Sequence, residues 1–158
     1  MSKVTVKQAE KNELNWVNAK YSEVYFVKSN YENEYIVIAK VENKNAGLGR
    51  LVKIDDNNIE LGGIYVFPNY RGLKVAENIV RNLCDKNPFD ESIMWCLPFE
   101  NLLKFYSKFG FENCENIKIP KEVGDKLQWC NSENKYGKKV LLLCKTNKKP
   151  AYNTVYKT

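Results

Sequence analysis

Residues 65–80 read YVFPNYRGLKVAENIV. An apolar run from Tyr65 to Phe67 meets Pro68, turns around Arg71-Gly72 and continues with helical spacing. Leu73, Ala76, Ile79, Val80 and Leu83 form one apolar stripe of the predicted helix, with Lys74, Glu77, Asn78 and Arg81 on its polar side. A strand that passes through a tight turn into a helix leaves the first N–H groups without internal acceptors. Those donors, with the positive end of the helix dipole, make an anion site suited to phosphate. Arg71 and Lys74 add positive charge there, and Gly72 lets a ligand approach the backbone. Lys74 is the odd member, because such a turn welcomes a small residue.

Upstream of this stretch, KVTV (3–6) predicts a short strand, and residues 10–21 a helix with Leu14, Val17 and Tyr21 on one face. Residues 34–41 and 45–54 read as strands, with Gly47 and Gly49 marking close backbone approach or a bulge. DDNN (55–58) is a turn by composition, so 59–67 returns antiparallel, with Gly62-Gly63 predicting a bulge or packing against bare backbone. Downstream, 92–97 is a short strand ended by Pro98. Residues 101–110 predict a second amphipathic helix, capped by Asn101 and stopped by Gly110, with Leu102, Phe105, Tyr106 and Phe109 on one face. KKVLLLCKT (138–146) is a terminal strand, KLQWC (126–130) a weaker strand candidate, and NSENKYG a turn between them. The order predicts a single α/β (α+β) domain over 1–158 with a mixed sheet.

Bulk properties narrow the function. No apolar run reaches the 18 or so residues a membrane span needs, and no basic-then-apolar leader opens the chain, so a cytoplasmic protein is expected. Five widely spaced cysteines without histidine give zinc little to bind and a nucleophilic thiol no histidine partner, and they are expected as reduced thiols, mostly buried. Residues 1–115 hold fifteen basic and sixteen acidic side chains, whereas residues 116–158 hold ten basic and three acidic ones. That basic segment fits nucleic acid, a polyanionic cofactor, an acidic partner or a solvated face. It has no evident recognition helix, CxxC finger or paired RNA-binding aromatic motif, which argues against nucleic acid.

Two further residues carry candidate chemistry. Tyr106, in FYSKFGF (105–111), is a core aromatic or a proton donor suited to a thiolate leaving group. Glu60 is a polar strand-end residue or, in a chain without histidine, a general base, with Asp55 and Asp56 competing for that role.

YVFPNYRGLKVA and FYSKFGFE, in this order, resemble the two motifs of the GCN5-related N-acetyltransferase (GNAT) family, over roughly residues 3–145. The resemblance implies a mixed, mostly antiparallel central sheet flanked by helices and splayed between its fourth and fifth strands. It also implies acetyl-CoA as cofactor and an acetyl transfer to a primary amine of a small molecule or peptide. On this sequence, Tyr65, Val66, Phe67, Tyr70, Arg71, Gly72, Leu73, Lys74, Val75 and Ala76 would hold the cofactor. Tyr106 would contact it and protonate the departing thiolate, and Glu60, or a water, would serve as base. Lys74 departs from the glycine usual at its place, and Phe99 from a common asparagine. A non-catalytic CoA-binding module and a basic nucleic-acid-binding protein are the alternatives, and a homodimer is compatible with the family.

Overall fold

In the computed structural model, which describes residues 3–89 and 92–146, the strands are Val4–Gln8 (β1), Glu34–Val41 (β2), Lys44–Asp55 (β3), Asn58–Val66 (β4), Ile93–Cys96 (β5), Glu112–Asn113 (β6) and Leu143–Thr146 (β7). The helices are Leu14–Glu23 (α1), Val75–Asp85 (α2), Leu103–Ser107 (α3) and Lys121–Asn131 (α4). Strand order is β1-β2-β3-β4-β5-β7-β6, in a mostly antiparallel, mixed sheet. The chain divides into two compact units, one drawn from Met1–Lys53 and Glu60–Pro88, the other from Ile54–Ile59 and Phe89–Thr158.

In the first unit, β1 runs antiparallel to β2 from Val4↔Val41 to Gln8↔Val37, and β2 to β3 from Glu34↔Val52 to Val41↔Lys44. Glu42 and Asn43 both take positive φ (51° and 67°), the backbone of a tight two-residue hairpin. β2 reads as a continuous apolar run because both its faces are covered. Ile36 and Ile38 join Leu48, Val17 and Tyr21 in one core cluster, while the Tyr35 hydroxyl donates to Asn82 Oδ1 of α2 at 3.1 Å. Gly47 and Gly49 make the predicted close approach. A Cβ on Gly49 would run into Ile79 of α2, and one on Gly47 would lie 2.8 Å from the Tyr65 carbonyl oxygen.

In the second unit, β7 pairs antiparallel with β5 (Ile93↔Thr146 to Cys96↔Leu143) and with β6 (Glu112↔Cys144, Asn113↔Leu143). Trp95, Val123 and Cys144 form its core, and the Trp95 indole donates to Asn58 Oδ1 at 2.7 Å.

Several expectations are corrected. KLQWC belongs to α4 rather than a strand. Its Leu and Trp alternate like a strand, but the buried positions are Val123 and Cys130 with Leu127 half-buried, a helical spacing that leaves Trp129 57% exposed. Leu73 lies before α2 and is exposed, so Val75 takes its place in the buried stripe. The second predicted helix shortens to α3 behind a 3-10 turn over Glu100–Leu102, with no side-chain cap from Asn101, and of its expected apolar face Tyr106 alone is buried. The terminal strand shortens to β7. Cys114 and Cys144 form a disulfide rather than two thiols, because the β6–β7 pairing brings Cα atoms 30 residues apart in sequence to 5.8 Å. Among the described residues, no helix is long and apolar enough to cross a membrane.

Candidate functional site

The predicted anion loop begins where β4 ends. The Phe67 N–H donates to the Ala46 carbonyl at 2.8 Å, which ties this end of β4 to β3. Because successive strand N–H groups point to opposite edges, the Val66 N–H is turned to the edge away from β3. Of the three strand residues expected at the cofactor, Val66 directs its N–H to that edge. Phe67 contributes its ring, packed edge-on against Tyr65 and Trp16 with centroids 5.0 and 6.1 Å away.

Pro68–Tyr70 then forms a single 3-10 turn, closed by the Tyr70 N–H donating to the Phe67 carbonyl at 2.9 Å. Arg71, Gly72, Leu73 and Lys74 follow, all exposed. Gly72 (φ 81°) and Lys74 (φ 64°, ψ 28°) are both left-handed. The second sets the N-cap of α2, and its carbonyl accepts from the Asn78 N–H at 3.1 Å and the Asn78 amide at 2.8 Å. Val75 is buried and anchors the helix, while Ala76 is half-buried. Helix geometry leaves the N–H groups at this start without intrahelical acceptors. A Cβ on Gly72 would meet nothing within 4 Å, so space beside the loop is open. Two exposed cations, an open glycine and a helix start form a surface that fits a pyrophosphate.

Of the two readings of the glycine pair of β4, packing against bare backbone is met at Gly63, where Tyr21 and Arg50 close in. Gly63 has φ 62°, and its carbonyl accepts from the Tyr21 hydroxyl at 2.8 Å. Burial pushes the Tyr21 phenol far up from its ordinary value, and Arg50 partly opposes that shift. The hydroxyl therefore keeps its proton and remains a donor. Glu60 lies half-buried on β4, with Oε2 directed to within 3.6 Å of where a Gly62 Cβ would stand. Asp55 accepts from the Asn57 N–H at 2.8 Å and the Asn58 amide at 2.9 Å, which gives it a structural part in the β3–β4 turn. Asp56 is exposed on that turn.

In the second unit, Tyr106 is 7% exposed, with its ring against Phe105 and Phe111 (centroids 5.0 and 5.8 Å). Burial pushes its hydroxyl far above the ordinary value, and the adjacent Cys96 thiol, hydrogen-bonded to it, adds to the shift. Phe99 packs on Tyr136, with centroids 5.5 Å apart. Sequence reasoning missed the set around Arg50. That residue is a polar interruption in an apolar strand, and the glycine pair opposite was its sole sequence signal.

Among comparisons with known proteins, the description "Acetyltransferase (GNAT) family" matches residues 6–111. No curated protein sequence gives a significant match. Many solved structures share the fold. One is the ribosomal-protein-S18-alanine N-acetyltransferase of Escherichia coli, at TM-score 0.64 and 11% identity, covering 96% of this chain and 98% of that one. Another is a GNAT family acetyltransferase of Elizabethkingia anophelis with acetyl-CoA bound, at 0.61 and 14%, covering 90% and 97%. N-acetylglutamate synthase of Neisseria gonorrhoeae, complexed with coenzyme A and L-arginine, matches at 0.64 and 14%, covering 94% of this chain, which spans 34% of that longer one. With more than half its length matched, this chain belongs to the GNAT acetyltransferase family.

Proposed function

We propose that this chain is an acetyl-CoA-dependent N-acetyltransferase, one domain over 1–158 acting in the cytoplasm on a primary amine. The observation that carries the reading is the left-handed Gly72–Lys74 turn, which opens the start of α2 beside Arg71. In this reading the N–H groups from Gly72 to Ala76 and the Arg71 guanidinium hold the pyrophosphate, with Lys74 adding charge. Bound acetyl-CoA supplies the acyl group as a thioester. The outward Val66 N–H polarises the thioester carbonyl. The amine nitrogen bonds to the acetyl carbon as the carbon–sulfur bond breaks. Glu60, directly or through a water, takes the proton the amine loses, and Tyr106 gives one to the sulfur. A proton held as tightly as that of Tyr106 is costly to give to a thiolate, whose own conjugate acid is far stronger, and this burial favours the second reading, a module that binds CoA without turnover.

Calorimetric titration of the full chain with acetyl-CoA tests the cofactor half. Saturable binding is expected, weakened at least tenfold by Arg71→Ala as a charge-assisted contact is lost. No heat and no thermal shift at millimolar acetyl-CoA would rule the reading out.

A further inference from the structure

Arg50 projects from β3 with its side chain 11% exposed and contacts three parts of the first unit. Its Nη1 donates to the Val27 carbonyl at 2.9 Å and to Ser29 Oγ at 2.6 Å. Its guanidinium stacks 4.5 Å from the centroid of Tyr21, the residue whose hydroxyl binds the Gly63 carbonyl. Glu34, 7% exposed, places Oε1 3.9 Å from Nη1 and accepts the Asn30 N–H on Oε2 at 2.7 Å. Asn18 of α1 clamps the same stretch from behind, accepting the Ser29 N–H at 2.6 Å and donating to its carbonyl at 3.2 Å.

These groups crowd the kink of β4. A Cβ on Gly63 would lie 2.7 Å from the Tyr21 hydroxyl and 2.8 Å from Arg50 Nε, so the left-handed glycine fits the pair without spare room. Three residues on stands Val66, whose N–H faces away from β3. The stretch that Arg50 holds is tied to this end of β4 through the residue before it. It follows Glu23, whose carboxylate accepts from the Tyr65 hydroxyl at 3.3 Å. That stretch exposes Tyr25 (95%) and Val27 (80%). Apolar side chains so exposed on a segment pinned by buried polar bonds are available to an incoming molecule rather than to the core.

We infer that Arg50 is a positioning residue for the transfer, fixing the β4 kink through Tyr21 and the apolar Tyr25–Val27 lip through Val27 and Ser29, with the lip contacting an amine that carries an apolar group; the inference rests on the acetyltransferase reading. Arg50→Lys keeps the charge but loses the planar fork and the stack. Tyr21→Phe removes the hydroxyl alone.

Steady-state kinetics at a temperature where melting curves show each variant folded separate the two functions. Tyr21→Phe should lower kcat about tenfold with KM for both substrates within twofold, because a small misplacement of the donor strand costs rate before binding. Arg50→Lys should lower kcat similarly and also raise the amine KM about fivefold, leaving the acetyl-CoA KM in place. Ser29→Ala, a gentler change, should raise the amine KM alone. Kinetic constants within twofold of wild type for folded Tyr21→Phe and Ser29→Ala would overturn the inference while the acetyltransferase reading stands. A wild-type protein that releases no CoA with any amine would overturn both.

Discussion

Lys74 holds a backbone conformation that disfavours any side chain. Its φ of 64° places Cβ near the following carbonyl, at a cost of about 1 kcal/mol that glycine does not meet. The glycine usual in the family at this place is therefore explained by the turn itself, and the exposed lysine side chain does not fill the loop. Lys74→Gly should raise stability by about 1 kcal/mol in urea denaturation, and should weaken acetyl-CoA two- to fivefold at low salt as one screened charge is lost. Tyr106 poses the opposite problem, a residue in an unstrained place with a demanding role. Tyr106→Phe should keep cofactor binding and lower turnover about a hundredfold, and unchanged turnover across the pH profile would reject it as the acid. Tyr21 and Tyr106 also fix an alkaline limit. Both phenols are raised from 10.0 by burial, so above that pH the unfolded chain loses protons that the folded one keeps. Stability contributed below pH 10 should decline as pH rises past it, by about 1.4 kcal/mol per pH unit for each tyrosine, measurable by denaturant titration between pH 9 and 11.

At the scale of elements, local pattern was a good guide where one face or both faces of an element are buried. β2 was legible to the residue, since 34–41 is the strand, and the strand–turn–helix from Tyr65 onward was legible in kind if not in its first residue. Pattern misled where burial is sparse. α4 shows three apolar positions on one face and a solvent-facing Trp129, so its carboxy-terminal half mimics a strand. β6 has two residues and left no periodicity to find. The Arg50–Tyr21–Gly63 set was invisible because its members meet through tertiary contact across 42 residues of sequence. A two-residue strand cannot hold itself, and the Cys114–Cys144 bond pins β6 to β7. Its closed loop of 30 residues corresponds to about 3.6 kcal/mol of chain entropy. Reduction with dithiothreitol should lower Tm by about 10 °C, and a change under 2 °C would show that the strand pair stands without the bond.

For the molecule as a whole, a net charge of +6 suits a protein that meets a polyanionic cofactor. The charge is uneven, and part of the basic carboxy-terminal excess, at Lys148, Lys149 and Lys157, lies outside the described residues. The nearer cations, Arg71 and Lys74, are those beside the open turn of α2. Family membership and the charged turn are the grounds for the proposed acetyl-CoA-dependent transfer. The most direct test is thiol release from acetyl-CoA by the full chain, followed with a thiol reagent across a panel of small-molecule amines, amino acids and peptide amino termini. The proposed function predicts release that depends on a defined amine, saturates with both substrates and is favoured by apolar acceptors. Saturable acetyl-CoA binding with no amine-dependent release from any member of the panel would contradict it.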